Sequence, residues 1–452
     1  MSWATRKRSA VAIVVLAAGA TSLALLPSAH AVAKVTTNRY AGPDRYGTAL
    51  ALAEHAFPTG SQAAVLARGQ DFPDGTKGFA DALAGNYLAG AYNAPVLLTD
   101  ADTVPAATLQ AFKDMKVKDV AILGGTNAIS QAVQAELEAT PSTNAAGGNL
   151  VTERIAGADR YDTAALVAES VPSTTIGTIN GLKTALIATG VDFPDALAGG
   201  PVAFANHFPL LLTTPASLSP ATASALQTLG IKAALILGGT AAVSSATEQS
   251  IQSMGITTQR LAGTNRQQTA AEVADYAIAY LKFKNTLADL ARGDNYPDSL
   301  AGGAEAGKLG PYPIVLTVSP TVLGVDTASW LQSVDGTLAE VDALGGTAAV
   351  SDAVLQQASG DATCVVPTSS TTTSPGGILT TLVGGGSSTT SQASTTLPGG
   401  GSTTTPSVPS QCQAPMTTTS TSSTTSTTVS STSSTSSTST TLPGLPAPIP
   451  LG

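Results

Sequence analysis

Histidine, cysteine and basic residues are scarce in this 452-residue chain, and each shortage closes off a class of chemistry. There are three histidines, and His30 falls in an N-terminal segment that reads as a cleaved leader, which leaves His55 and His207 at unmatched places. No His/Cys/Asp cluster has metal-ligand spacing, and neither a Gly-x-Ser-x-Gly turn nor a Walker phosphate loop is present. The sequence therefore predicts no catalytic residues, no metal and no cofactor. The two cysteines, Cys364 and Cys412, could pair in an oxidising compartment. They lie too late in the chain to staple the repeats described below. Lys and Arg total 21 against 30 Asp and Glu, a formal charge of −9 that becomes −12 once Arg6, Lys7 and Arg8 leave with the leader. Such an acidic chain is a poor generic binder of nucleic acid, which calls for a basic surface. Beyond Asp361 no Asp, Glu, Lys, Arg or His occurs at all.

Both ends read as segments outside the fold. Residues 1–31 form the expected signal peptide: Arg6 to Arg8 are the basic region, Ala10 to Leu26 the apolar run, and Ala29-His30-Ala31 the cleavage site. A membrane anchor is the alternative, but the run is short for a span, and no later stretch is long and apolar enough to cross a bilayer. Between Thr417 and Thr441 every residue but Val429 is Ser or Thr. A tail of this kind over 361–452 cannot bury enough apolar surface to offset its chain entropy, so disorder is expected. It suits an O-glycosylated stalk or a plain linker. The terminus, Pro448-Ile449-Pro450-Leu451-Gly452, has no hydrophobic tail and basic stop of the kind used for covalent sorting.

Between the ends the chain repeats itself. Arg39-Tyr40-Ala41-Gly42-Pro43-Asp44-Arg45 returns at Arg154–Arg160 and at Arg260–Arg266, shifted by 115 and then 106 residues. Leu123-Gly124-Gly125-Thr126 returns at Leu237–Thr240 and Leu344–Thr347, shifted by 114 and then 107. Two markers with one period mean tandem copies of one unit, and the period is that of a small domain. The expected boundaries are 35–152, 153–259 and 260–360.

Repeat two shows the unit most cleanly. A short strand at Arg154–Gly157 precedes a helix capped by Asp159; buried strands at Thr184–Thr189, Pro209–Thr213 and Ala233–Leu237 alternate with helices opened by Pro194, Ser219-Pro220 and Ser244. Continuously apolar strands alternating with helices predict a parallel sheet covered on both faces. Each unit is thus expected to be a Rossmann-like, doubly wound α/β module. Repeat one departs by seven extra residues, Gly75 to Asp81, inside its Pro-Asp-Leu-Ala-Gly phrase, which belong in a strand-to-helix loop.

Ligands of open α/β sheets bind outside the carboxyl ends of the strands, where two recurring turns should lie. The Gly124-Gly125, Gly238-Gly239 and Gly345-Gly346 pairs could present N–H groups to an anion at a helix start, or could simply permit a tight turn. Asp195, with its mates Asp74 (or Asp81) and Asp298, could cap a helix or bind sugar hydroxyls. The arginine pairs Arg39/Arg45, Arg154/Arg160 and Arg260/Arg266 suit bidentate recognition of phosphate or carboxylate. Equally, they could bond aspartates such as Asp159 and lock the strand–helix junction.

Taken together, Arg-x-Ala-Gly-x-Asp/Asn-Arg, Phe/Tyr-Pro-Asp-x-Leu-Ala-Gly, Pro-x-x-Leu-Thr and Leu-Gly-Gly-Thr-x-Ala-Val/Ile-Ser, in that order and three times over, resemble the type 2 cell wall-binding repeat family over roughly residues 38 to 360. The resemblance implies three modules about a pseudo-threefold axis, in a surface protein of a Gram-positive bacterium that attaches non-covalently to teichoic-acid-like or other anionic wall glycans. It implies a secreted, non-enzymatic partner of the wall. A wall hydrolase or amidase modifier and a structural or adhesion protein displaying its stalk are the alternatives. The chain departs from the family in the insertion of repeat one, in lacking a folded effector region, and in an acidic charge that sits awkwardly with an anionic ligand.

Overall fold

The structure is a computed structural model that describes residues 35–75, 78, 80–334 and 336–361. The leader, both cysteines and the Ser/Thr-rich tail lie outside the described residues. Repeat one runs β1 (Thr36–Tyr40), α1 (Arg45–Ala56), β2 (Ala63–Arg68), α2 (Ala80–Tyr92), β3 (Val96–Thr99), α3 (Ala106–Asp114), β4 (Asp119–Leu123) and α4 (Gln131–Ala139). Repeat two follows as β5 (Val151–Ile155), α5 (Arg160–Glu169), β6 (Thr178–Ile179), β7 (Leu182–Thr189), α6 (Pro194–Ala198), α7 (Gly200–Asn206), β8 (Leu210–Thr213), α8 (Pro220–Thr228), β9 (Ala233–Leu237) and α9 (Ser245–Ser253). Repeat three is β10 (Thr257–Leu261), α10 (Arg266–Tyr280), β11 (Leu287–Arg292), α11 (Pro297–Leu309), β12 (Ile314–Thr317), α12 (Val325–Ser333), β13 (Glu340–Leu344) and α13 (Asp352–Asp361).

Alternating strands and helices build three parallel sheets, as the apolar strand pattern predicts. Their orders are β3-β2-β4-β5, β8-β7-β9-β10 and β12-β11-β13-β1. The short β6 adds an antiparallel pairing to β7. The sheets are offset from the sequence repeats by one strand. The Arg-x-Ala-Gly strand that opens each repeat completes the sheet of the repeat before it: β5 pairs with β4, and β10 with β9. β1 has no preceding repeat and pairs instead with β13 at the far end, Arg39 opposite Ala343. The three sheets are thereby closed into a ring. These three strands form one edge of each sheet, carry polar residues and stay partly exposed, whereas β3, β8 and β12 at the opposite edges are buried throughout, as is β9 inside its sheet.

The helices that follow the Pro-Asp phrase meet at the centre. α2, α7 and α11 pack on one another about the pseudo-threefold axis. Matching residues form layers there, and each layer is asymmetric in side chain. Asn86 of α2 stands against Gly200 and Gly303, and a Cβ on Gly303 would meet its amide at 2.7 Å. One turn on, Phe204 fills the axis between Gly90 and Gly307, where a Cβ on Gly307 would stand 2.7 Å from the Phe204 side chain. One large residue and two glycines fill each layer, where three identical large residues would collide. Burial of the surrounding apolar side chains, such as Leu83, Leu88, Leu197, Val202 and Leu300, contributes on the order of 1.5–3 kcal/mol apiece.

Candidate functional site

Each sequence phrase brings one wall of a cleft at the carboxyl ends of the strands. The first glycine of each Gly-Gly pair makes the turn out of the fourth strand of its unit. Gly124, Gly238 and Gly345 have φ of +95°, +99° and +96°, a region glycine enters freely and other residues resist. A Cβ at these positions would also press into the carboxylate of Asp81, Asp195 or Asp298, Oδ2 being the nearest atom in every case. The structural reading therefore holds for the first glycine. The second is different. Gly125, Gly239 and Gly346 have no left-handed φ, and a Cβ added to Gly125 or Gly346 meets nothing within 4 Å, with only the Gly263 carbonyl at 3.9 Å near Gly239. Nothing in the fold asks for glycine there. Nor does a helix begin at once: Ala242 and Val243 N–H donate to Gly239 O, and Ser244 then caps α9.

The aspartates settle the register of the insertion and depart from the expected cap. Asp81, not Asp74, occupies the place of Asp195 and Asp298 beside the Gly-Gly turn, and Asp74 lies exposed on the loop between β2 and α2. Asp195 sits in the first turn of α6, whose N-cap is Phe193 without a side-chain bond. It reaches instead to the following repeat. Asp81 is hydrogen-bonded to Thr163, Asp195 to Thr269, and Asp298 to Thr48. Each threonine hydroxyl also accepts from a glycine of the Ala-Gly phrase: Gly157 N at 3.1 Å, Gly263 N at 3.1 Å and Gly42 N at 3.2 Å. Burial pushes all three carboxyls above the usual range, opposed by the threonine and by Arg160, Arg266 or Arg45. The result is one interlock used three times around the ring. The threonines were not singled out from the sequence, although Arg-x-x-Thr recurs at Arg45, Arg160 and Arg266.

The six arginines are half-buried and have partners in the fold. Arg39, Arg154 and Arg260 donate from Nη1 to the carbonyl of the first turn glycine, at 2.8 Å to Gly345, 2.8 Å to Gly124 and 2.7 Å to Gly238. Arg260 is further held by Glu248 at 2.7 Å, Arg39 by Asp352 at 3.0 Å and Arg154 by Gln134 at 3.0 Å. Arg160 and Arg266 donate to Gly190 O at 2.7 Å and Gly293 O at 2.5 Å, and Arg45 bonds Gly69 O. Arg266 Nη2 also lies 3.3 Å from Asp192. These partners are mainly loop carbonyls rather than the helix-start acids. Asp44, Asp159 and Asn265 spend their side chains capping α1, α5 and α10.

In the first unit these parts enclose a cavity of about 300 Å³, lined among others by Asp81, Gly125, Thr126, Arg160 and Thr163, with Phe72 at its rim. Buried Arg68 organises that rim. It donates to Gln70 O, Asp71 O and Ala128 O, each at 2.9 Å, and stacks on Phe72 at 4.2 Å. It too escaped notice in the sequence. Among the described residues no group of three His, Cys, Asp or Glu is disposed to hold a metal, and no helix is long and apolar enough to cross a membrane.

Comparison with known proteins gives the same three units. A family model described as cell wall binding domain 2 matches residues 39–134, 154–248 and 260–355. The chain is 30% identical over 278 residues to N-acetylmuramoyl-L-alanine amidase LytC of Bacillus subtilis (strain 168), covering 62% of this chain and 50% of LytC. It is 27% identical over 272 residues to the amidase enhancer of the same organism, covering 60% of this chain and 33% of that protein. It thus spans half or less of these relatives. Among solved structures, Cwp6 from Clostridium difficile superposes with a TM-score of 0.61 at 24% identity, covering 73% of this chain and 48% of Cwp6, a likeness of fold.

Proposed function

Since the chain belongs to the cell wall binding domain 2 family, we propose that it is a secreted protein that attaches non-covalently to a bacterial wall through anionic glycopolymers of teichoic-acid type, and that attachment rather than catalysis is its task. The observation that carries this reading is the second glycine of each Gly-Gly turn. Its backbone floors a cleft that a Cβ would enter without touching the protein, as expected where a ligand approaches the main chain closely. Around that floor stand a buried carboxyl, a hydroxyl-rich turn and a guanidinium, a set suited to sugar hydroxyls and to a phosphate. The open glycine, the buried carboxyl and its threonine recur at Gly239 with Asp195 and Thr269, and at Gly346 with Asp298 and Thr48. Three modest sites on one ring can engage a repeating polymer together, which multiplies affinity. Local donors carry the interaction, because the net charge of the chain opposes it.

Sedimentation with isolated walls tests the proposal. The protein should pellet with intact walls, stay in solution with walls stripped of anionic polymer, and be released by molar salt, at which the Debye length is about 3 Å. Undiminished binding to stripped walls would remove the polymer from the reading, and retention after boiling in denaturant would make the attachment covalent. The names of the two curated relatives make amidase chemistry the competing reading. Release of soluble wall fragments by the purified protein would favour it.

A further inference from the structure

The third sheet buries acids where the other two bury hydrocarbon. In its central row Asn38 of β1 faces Asp342 of β13, which faces Asp289 of β11. The same row reads Glu153, Ala121 and Val65 in the first sheet, and Gln259, Leu235 and Leu186 in the second. The substitutions continue off the sheet. Glu305 of α11 occupies the place of Leu88 and Val202, His55 of α1 that of Ser170 and Tyr276, and Tyr40 of β1 that of Ile155 and Leu261. All of these differences gather at the seam where the first strand of the chain closes the ring.

The acids of the cluster are fully buried and short of partners. Asp289 and Asp342 are 0% exposed and Glu305 is 1% exposed. Glu305 Oε1 receives the Tyr312 hydroxyl at 2.6 Å and lies 2.8 Å from His55 Nδ1. His55 Nε2 lies 2.9 Å from the Tyr40 hydroxyl, and the two rings stack at 4.1 Å. Glu305 Oε2 and the carboxyl oxygens of Asp289 and Asp342 lack a well-aligned N–H or O–H donor; the Asp289 and Glu305 carboxyls lie close enough to share a proton, and Asn38 is the amide nearest Asp342. Glu340 bonds Asn38 at the rim. Against three buried carboxyls, this set of groups from β1, β11, β13, α1, α11 and the Tyr312 segment offers one imidazole. Burying several unpaired negative charges together is prohibitively unfavourable, so such groups retain protons.

We propose that closure of the ring by β1 is coupled to protons held by Asp289, Asp342 and His55, packed around Glu305, so that the seam is latched when these groups are protonated and loosens as they lose their protons. The direction follows from linkage. Burial, then neighbouring Glu305, pushes Asp289 well up, and burial with Glu340 and Glu305 brings Asp342 to about 7. Between the ordinary carboxyl pKa and these values the closed state holds protons that the open state has lost. Closure therefore weakens as pH rises from about 4, and the loss is complete only above the closed-state values. His55 is raised by its bond to Glu305, so its contribution is present below its ordinary value and disappears as pH climbs through the raised one. Both kinds of group act with the same sign.

Amide hydrogen exchange on the full chain tests the latch, with β5, the matching edge strand that pairs with β4, as the internal reference. After correction for intrinsic chemistry, one proton released near pH 7 lowers the protection of Asn38 and Tyr40, whose N–H groups face β13, relative to Glu153 and Ile155, whose N–H groups face β4, about tenfold between pH 6 and pH 8. Asp342→Asn should flatten that ratio, and so should the pair Asp289→Leu with Asp342→Leu, which copies the second sheet. His55→Gln, at a half-exposed site, serves if the buried variants do not fold, and should reduce the dependence in part. Identical pH profiles for β1 and β5 in the parent, or an unchanged ratio in the variant that folds, would overturn the proposal. A rise in β1 protection on adding millimolar calcium, reversed by chelation, would also overturn it and make the cluster a cation site.

Discussion

Alanine placed at two adjacent glycines should separate folding from binding. Gly238 has φ of +99°, and its Cβ would press into Asp195 Oδ2. The backbone conformation alone costs an alanine about 1–2 kcal/mol. Pushing Asp195 away from Thr269 adds about 1–2 kcal/mol for a buried hydrogen bond left unmade. Gly238→Ala should therefore destabilise by about 3 kcal/mol and lower the melting temperature by about 4 °C in a folded body of this size. Gly239→Ala should do the reverse. Its space is open and its φ ordinary, so a smaller unfolded-state entropy should stabilise by about 0.4–1 kcal/mol. Combined as Gly125→Ala, Gly239→Ala and Gly346→Ala, the harmless substitutions should put a methyl into all three clefts. Wall binding should fall by an order of magnitude or more, because loss at every site removes the multivalent gain. Melting curves and wall sedimentation on one preparation give both readouts. Full wall binding by the triple variant would refute the clefts as the site, and a Gly238→Ala protein as stable as the parent would refute the interlock.

Other outcomes follow from the packing. Phe204→Ala should cost about 3–5 kcal/mol in chemical denaturation, since Gly90 and Gly307 leave no neighbour able to fill the axis. Arg260→Gln, which loses Glu248 and the Gly238 carbonyl, should cost about 1–2 kcal/mol in stability. Its wall binding per folded molecule should be unchanged, whereas weaker binding at an unchanged melting temperature would return this arginine to the ligand. Removing residues through Tyr40 should leave β13 as a bare edge and expose the third sheet to protease before the other two, a pattern read by mapping the first cleavage sites.

Much of this was legible in the sequence because the motifs are local. The helix starts at Asp159, Ser219 and Ser244, the buried strands and the repeat number depend on short-range capping and hydrophobic period, and each is found where expected, whereas Ala80 and Asp81 of the expected loop insertion belong to α2. The one-strand offset was not legible. An edge strand such as Thr-Glu-Arg-Ile reads the same whichever sheet receives it, and strand partnership is set by long-range packing. The partner of Asp195 was hidden for a related reason. An acid one residue after Pro satisfies every local rule for a helix start, and the threonine it binds lies some seventy residues on. Asp74 and Asp81 could not be ranked until the insertion was placed in space. Asp289 of β11 and Asp342 of β13 are charges inside apolar strands, a signal the repeat motifs did not draw attention to. Their meeting with His55 depends on β1 closing the ring.

That closure joins the first strand to the last, Arg39 bonding the carbonyl of Gly345 across 306 positions, and so it fixes an order of assembly. A growing chain completes its first sheet once β5 is made and its second once β10 is made. The third must wait for β13 and then for a strand synthesised at the very start. Throughout that interval β1 is an unpaired edge, and its outward Thr36, Thr37 and Asn38 help keep it soluble while it waits. Crowded molecules then face a choice of partner. A β1 that finds the β13 of a neighbour makes the same contacts as one that finds its own, so the chain carries a built-in route to exchanged dimers and open strings, favoured by concentration and suppressed by slow, dilute production.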